Sequence, residues 1–203
     1  KRKLTTNMVT YFNINNQGFP CKLYVIYSFP HYHYHYFVHR KQAMTTEIKT
    51  AGTRSKFAGL DFVWVPNGSF MMGSPENEEM RNDDELLHLV NISQGFWLGR
   101  TPITQIQWET VMGKNPSRFV KNSFLNSTKN HPVESISWEC AHNFIEKLNN
   151  QDQGHFSLPT EAQWEHACRY GGKIEEQLQK NNAKQLGWYA TNSQQRTHPV
   201  TQK

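Results

Sequence analysis

The most reactive side chains in this 203-residue chain are its three cysteines, Cys21, Cys140 and Cys168. Paired thiolates are soft ligands that suit copper(I), and Cys140 and Cys168 are the two in the main body of the sequence. The number and scattered spacing of the three cysteines do not match a disulfide scaffold or a zinc site. Cys140 and Cys168 each fall inside a predicted helix, so we expect these two to be buried structural thiols, with copper binding as the alternative.

Two sets of carboxylates could also do chemistry. Glu161 and Glu165 are four residues apart on a predicted helix, where they could share acid–base work or bind a metal. Structural roles, including an interaction with the helix dipole, are the interpretation we favour. An acidic run offers the hard oxygen ligands of Ca²⁺, but it lacks the alternating spacing of a calcium loop, so we expect a solvated loop. Its members are Glu76, Glu78, Glu79, Asp83, Asp84 and Glu85.

The N-terminal segment has a different character. Histidine and tyrosine alternate from His31 to Tyr36, and a strand there would put three imidazoles on one face, where a metal could bind. Residues 1–57 show no sustained helical or strand period, so we expect a basic leader that is poorly ordered or unrelated to the rest. The remainder, residues 58–203, is predicted to be the domain.

Charge is divided unevenly between these two parts. Residues 1–57 contain nine Lys/Arg and one acidic residue, whereas residues 58–203 contain 13 basic and 16 acidic residues. The overall charge of +5 therefore reflects the leader, and it is no argument for nucleic-acid binding by the main body. No run of about eighteen apolar residues occurs, so no membrane span is expected.

Short strands precede helices in the main body, which predicts an α+β fold. The dipeptide Asn67-Gly68 lies between two apolar runs and predicts a hairpin. Three helices are predicted from caps at Thr104, Ser137 and Thr160. The second helix would bury one face, formed by Trp138, Ala141, Ile145 and Leu148.

The most specific segment of the chain reads LPTEAQWEHACR, from Leu158 to Arg169. It resembles the LPTEAEWEYACR signature of the formylglycine-generating enzyme, or sulfatase-modifying factor, family. Further matching blocks follow the family's order and spacing, at residues 65–74, 96–104, 111–119, 132–138 and 188–200. We assign structural roles to the signature residues Leu158, Pro159, Thr160, Glu161, Trp164, Glu165 and Arg169.

The resemblance implies a C-type-lectin-like α+β fold with much irregular structure. Members oxidise a protein cysteine to formylglycine with oxygen and copper, or act as iron-dependent relatives, and some hold calcium. The match implies that Asn192 and Ser193 are candidate calcium ligands, through the Asn side chain and the next carbonyl. Cys168 matches a cysteine that forms a disulfide in some secreted relatives, whereas Ile145 replaces the cysteine of a second bridge.

The family's catalytic cysteines lie in a C-terminal third that the matched blocks do not include. We therefore expect an incomplete domain, inactive alone, with no catalytic or cofactor-binding residue assigned within it. We also expect uncovered apolar surface on the second helix and on residues 96–98. A peptide or protein such as a sulfatase is the expected partner. A non-catalytic C-type-lectin-like binding module is the alternative function, and a cytoplasmic location is only weakly favoured over others.

Overall fold

A computed structural model of the chain describes residues 39–41, 49–77, 82–120, 127–151, 154–169 and 187–202. These ranges contain three helices and seven strands, which confirms the predicted α+β class. The strands are β1 (His39–Lys41), β2 (Arg54–Phe57), β3 (Leu60–Val65), β4 (Gly68–Met72), β5 (His88–Ile92), β6 (Phe96–Gly99) and β7 (His155–Ser157). The helices are α1 (Gln105–Met112), α2 (Trp138–Asn149) and α3 (Glu161–Arg169). Within the described ranges, none of these helices has the length and apolar character that crossing a membrane requires.

The larger of two sheets has five antiparallel strands in the order β2–β3–β6–β1–β7. β6 is a central strand, with Trp97 opposite Trp64 of β3 on one side and opposite Arg40 of β1 on the other. All four β6 residues are buried. A short strand that is covered on both faces has a continuous apolar run in its sequence, as Phe96, Trp97 and Leu98 do.

Two strands of this sheet come from the segment predicted to be a separate leader. β2 pairs with β3 along its whole length, and β1 pairs with both β6 and β7. Residues 39–41 and 54–57 are therefore part of the same sheet as the domain. The sequence does not reveal β2, because its residues Arg54, Ser55 and Lys56 carry no apolar alternation. The His31–Tyr36 run and Cys21 lie outside the described residues.

The hairpin predicted at Asn67-Gly68 is wrong, because β3 and β4 belong to different sheets. A type I′ turn needs positive φ at both central residues, and neither Asn67 nor Gly68 has it. The hairpin instead joins β2 to β3 through Ala58 and Gly59, with φ of 48° and 76°. Alanine is an uncommon residue at such a φ, so this turn has no clear signal in the sequence.

The second sheet is a two-stranded ribbon of β4 and β5 that packs against α3. Phe70 lies opposite Val90 in the ribbon, and its ring contacts the imidazole of His166 on α3 at 5.2 Å between centroids. The other face presents Met71 opposite Leu89, which are 45% and 70% exposed. The ribbon therefore has one face against the helix and one apolar face in contact with solvent.

The main core lies between the large sheet and helices α1 and α2. Trp108 of α1 stacks on Phe144 of α2 with centroids 5.0 Å apart and an interplanar angle of 6°. Phe62 and Phe156 bring β3 and β7 into the same cluster, with 5.9 Å between their ring centroids. A smaller cluster contains Val65, Phe96, Leu98 and Ala167, and it joins β3 and β6 to α3.

The predicted helix caps are confirmed. Thr104 and Gln107 form a reciprocal capping box at α1, which ends at Gly113 in the left-handed conformation. The Ser137 hydroxyl accepts the Cys140 N–H at the start of α2. At α3 the Thr160 hydroxyl and the Gln163 side chain make the two bonds of a second box. Local chemistry alone sets these helix starts.

The expectation of uncovered core surface is wrong for most of the residues named. Phe96, Trp97 and Leu98 are buried, and so are Ala141, Ile145 and Leu148 on α2. Trp138 is the exception, since 57% of it is exposed. It is the first residue of α2, and its ring lies 3.5 Å from the His142 ring instead of in the core. Phe144 occupies the buried face in its place.

Candidate functional site

The signature segment forms a clamp on one backbone residue. The Glu165 carboxylate accepts the Gly73 N–H at 3.1 Å and the Arg169 Nε–H at 2.6 Å, both on Oε1. Arg169 Nη2 in turn donates to the Gly73 carbonyl at 2.7 Å. Glu165 and Arg169 are therefore bonded to each other and to both polar groups of the same residue. We call these three residues the Gly73 clamp.

Local sequence explains why the clamp forms. Glu165 and Arg169 are four residues apart on α3, so both side chains extend from the same helix face. Their side chains are only 15% and 17% exposed, which strengthens the charge-assisted bonds relative to a surface pair. Gly73 has φ of 95°, and a Cβ there would lie 2.5 Å from the Leu86 carbonyl oxygen. Only glycine fits this position without a shift of the chain.

His166 fixes the other end of the ribbon to α3. Its Nε2 lies 2.9 Å from the Pro66 carbonyl oxygen. Because a carbonyl only accepts, Nε2 carries the proton. Burial lowers the pKa of His166, and the bond to Pro66 opposes this shift by favouring the protonated form. The buried imidazole with its fixed tautomer is therefore a structural contact between α3 and Pro66, which lies just before the ribbon.

The structure does not bring Glu161 and Glu165 together as a carboxylate pair. Glu161 is exposed at the first turn of α3, whereas Glu165 is held in the clamp. Of the other signature residues, Thr160 is in the capping box and Pro159 is half-buried beside it. Leu158 packs against the main core, and Trp164 packs against the smaller one.

The two cysteines of the main body lie in different surroundings. Cys168 on α3 is completely buried, as expected for a structural thiol. Cys140 is half-buried near the start of α2, where it contacts the main core. No disulfide joins them. Hydrogen bonds from the Ser137 side chain and backbone lower the pKa of the Cys140 thiol. Cys140 is not the fully buried thiol that the sequence predicted, since it is half-buried.

The acidic run forms part of a loop held by its own side chains. Glu85 accepts the Ser74 hydroxyl at 2.6 Å and the Asn82 amide at 2.7 Å. Asp83 and Asp84 are exposed, as is Glu76. Glu78 and Glu79 lie outside the described residues. Among the described residues no three His, Cys, Asp or Glu side chains converge as metal ligands.

Asn192 and Ser193, the candidate calcium ligands, lie in a loop of residues 187–202 that we call the C-terminal loop. The Asn192 side-chain oxygen accepts the Tyr189 N–H at 2.7 Å, and its amide donates to the Gly187 carbonyl at 2.8 Å. The Ser193 carbonyl accepts from His198 Nε2 at 2.8 Å. Ca²⁺ takes six to eight oxygen ligands, usually including carboxylates. The two oxygens already satisfy donors of the loop, so they do not fit such a shell as they lie, and the calcium assignment stays a prediction.

Sequence reasoning missed a buried polar network between α1 and the segment before α2. Gln105, only 1% exposed, donates to the Phe119 carbonyl at 2.9 Å and accepts from Asn115 and Thr128 at 3.0 and 2.9 Å. Buried Glu134 accepts the Phe119 N–H at 2.8 Å. Asn115, Phe119 and Glu134 lie in the blocks 111–119 and 132–138, and these blocks are the signal in the sequence that could have indicated the network. The bonded residues are 10 to 23 positions apart in the sequence, so spacing alone cannot pair them.

A known protein family matches most of this chain. Residues 47–203 match the family described as the sulfatase-modifying factor enzyme 1-like domain, which is most of the chain. The chain belongs to this family. The matched range begins before β2, so it agrees with the sheet, which includes residues N-terminal to 58.

Individual relatives are distant. A protein named chaperone protein LppX, from Paenibacillus barcinonensis, is 26% identical and aligns with 48% of this chain and 45% of its own length. The solved structure of PvdO from Pseudomonas aeruginosa is 22% identical, with a TM-score of 0.52 over 61% of this chain and 53% of that one. Treponema denticola variable protein 1 is 24% identical, with a TM-score of 0.39 over 49% of this chain and 34% of that one. The chain therefore spans about half the length of LppX and PvdO, and the likeness to PvdO shows a shared fold.

From the Gly73 clamp we expect that substituting Glu165 destabilises the protein far more than substituting Glu161 on the same helix. Glu165→Ala should lower the free energy of unfolding by about 2–3 kcal/mol, since it removes two charge-assisted bonds and leaves Arg169 partly buried without its counter-ion. Glu161→Ala, at an exposed position, should change it by less than about 0.5 kcal/mol. Urea unfolding followed by tryptophan fluorescence measures both. Equal effects would show that the clamp does not stabilise the fold.

The Cys140 thiol predicts selective and pH-dependent alkylation. Because its pKa is lowered, iodoacetamide should label Cys140 far faster than Cys168, with a midpoint below the ordinary thiol pKa near 9.0. Ser137→Ala should move that midpoint upward, since it removes the hydrogen bond that stabilises the thiolate. Peptide mass spectrometry across pH 6–10 distinguishes the sites. A Cys140 profile that Ser137→Ala leaves unchanged would contradict this assignment.

Proposed function

We propose that this chain supplies the scaffold of a C-type-lectin-like sulfatase-modifying-factor domain, and that it does not itself catalyse the family's reaction. The observation that carries this proposal is the Gly73 clamp. Glu165 and Arg169 are charged signature residues whose side chains could do chemistry. Both are instead hydrogen-bonded to the backbone of Gly73, which follows β4. These hydrogen bonds join α3 to the ribbon, which is a structural role.

The family reaction converts a protein cysteine to formylglycine, and copper bound by two cysteines would supply the oxygen chemistry. The described thiols do not fit such a centre. Cys168 is completely buried on α3, whereas Cys140 is half-buried at the start of α2 against a different cluster. A soft-metal site needs two thiolates that face one point. Cysteine oxidation of a protein or peptide substrate such as a sulfatase is therefore proposed for a domain that combines this scaffold with further residues.

An aldehyde assay tests this proposal. The purified chain, incubated with copper, oxygen and a Cys-x-Pro-x-Arg peptide, should give no formylglycine above a no-protein control by mass spectrometry. Cys140→Ser and Cys168→Ser variants should behave as the parent chain does. Formation of the aldehyde by the parent chain, with its loss in either variant, would show that the described thiols are catalytic and would overturn the proposal.

A non-catalytic binding module is the second candidate, and one observation favours it. Met71 and Leu89 form an exposed apolar pair on the outer face of the ribbon, and Leu86 and Leu87, just before β5, are also 66% and 44% exposed. Exposed apolar surface of this kind is a feature of sites that hold other proteins. For this candidate we choose an unfolded protein segment as the ligand, in keeping with a distant relative that is named a chaperone protein.

An aggregation assay examines this second candidate. The chain should slow the aggregation of reduced α-lactalbumin, measured by light scattering at an equimolar ratio. Leu89→Ser should weaken this effect, because it makes the centre of the apolar face polar without touching the core. Val120→Ser, at a 41% exposed position elsewhere, serves as the control and should leave the effect unchanged. No suppression by the parent chain, or an equal loss in both variants, would exclude the ribbon as a binding face.

A further inference from the structure

The dipeptide Asn67-Gly68 does not form a hairpin turn, since it links β3 of the large sheet to β4 of the ribbon. Asn67 is exposed, and Gly68 is the first residue of β4, opposite Ile92 at one end of the ribbon. It is the one Asn-Gly pair in the sequence. Glycine has no side chain to shield its backbone nitrogen, so this nitrogen can approach the side-chain amide of the asparagine before it.

An asparagine followed by glycine can lose ammonia without an enzyme. The Gly68 nitrogen attacks Cγ of Asn67, so that a bond from this nitrogen to Cγ forms while the Cγ–Nδ2 bond breaks. The proton of the Gly68 N–H passes through solvent to the displaced amide, which leaves as ammonia, and the product is a cyclic succinimide. Water then opens the ring. Addition at Cγ gives aspartate, whereas addition at the main-chain carbonyl gives isoaspartate, whose chain continues through Cγ.

The surroundings of Asn67 favour this reaction over the same reaction at Asn192, which also precedes a small residue. Within the described ranges the Asn67 side chain makes no hydrogen bond, so no bond has to break when Cγ turns toward the Gly68 nitrogen. Asn192 is held at both side-chain atoms, since its oxygen accepts a backbone N–H at 2.7 Å and its amide donates to a carbonyl at 2.8 Å. Gly68 also lies at the end of its strand, where local opening needs the least free energy.

The residues on both sides of Asn67 contact His166 of α3. Pro66 accepts a hydrogen bond from His166 Nε2 at 2.9 Å. Gly68 lies against the same ring, because a Cβ at Gly68 would be 3.3 Å from His166 Cε1. Isoaspartate at position 67 would add one atom to the main chain between these two contacts. Pro66 and Gly68 could then not both keep their present positions against the imidazole.

We propose that Asn67-Gly68 is a site of spontaneous deamidation, and that isoaspartate at this position loosens the ribbon from His166 on α3. The modification is a slow covalent change in a contact that positions the ribbon. It goes beyond both candidate functions, because it depends on neither of them. Isoaspartyl carboxylates are substrates of methyltransferases that act on aged proteins, so an enzyme of this class is the expected partner of the modified chain.

Incubation of the full chain at physiological temperature and mildly alkaline pH tests the first part of the proposal. Peptide mass spectrometry should show conversion of the Asn67 amide to an acid while Asn192 stays unmodified, and an isoaspartyl methyltransferase should methylate the product. Asn67→Gln should abolish both signals, because the longer side chain would have to close a six-membered ring, which forms far more slowly. An Asn67 peptide that stays unmodified, or that reacts no faster than the Asn192 peptide, would overturn the proposal.

Hydrogen exchange tests the second part. The isoaspartyl form, separated from the unreacted chain by chromatography, should exchange the amides of β4 several-fold faster than the parent chain does, whereas the amides of β6 should exchange at an unchanged rate. Asn67→Asp adds the charge without lengthening the main chain, so it is the matched control and should exchange as the parent does. Equal exchange in the isoaspartyl form and the parent, or an equal increase in Asn67→Asp, would contradict the role of the longer main chain.

Discussion

The contact between α3 and Gly73 is the constraint on which the arrangement of this chain depends. Gly73 directly follows β4 and has a left-handed φ, and its backbone has no room for a side chain beside the Leu86 carbonyl. Glu165 and Arg169 bond both polar groups of this residue across 92 and 96 positions of sequence. Through this contact a two-stranded ribbon, which is marginal by itself, is attached to a helix that packs on the large sheet.

The two apolar clusters and the Gly73 clamp stabilise the fold in different ways. The main cluster joins α1 and α2 to the sheet through stacked and tilted aromatic rings, as Trp108 on Phe144 illustrates. The smaller cluster places Ala167 of α3 against Val65 and Leu98. Dispersion and burial supply stability in both clusters but little directionality. The clamp and the His166–Pro66 bond supply the directionality, because charge-assisted and carbonyl hydrogen bonds fix both distance and angle.

Polar side chains outside the signature segment hold the parts of the chain that are neither helix nor strand in position. Gln105 and Glu134 provide buried acceptors and donors for loop backbone, and the C-terminal loop is closed by Asn192 and by the His131–Thr197 bond. Buried backbone groups outside helices and strands need such partners. A fold with short strands and long connections therefore requires many polar side chains inside. This explains why polar residues such as Gln105, Glu134 and Asn192 bond to the backbone of loops.

The sequence by itself determined the features that depend on near neighbours. The capping boxes at Thr104 and Thr160, the α+β class and the family follow from residue types at fixed short spacing, since caps are satisfied within three residues. Only the tertiary structure decided which strands pair, that Trp138 is exposed while Phe144 is buried, and that Glu165 binds Gly73 instead of acting with Glu161. These outcomes depend on contacts between residues that are distant in sequence, which local pattern and propensity do not encode.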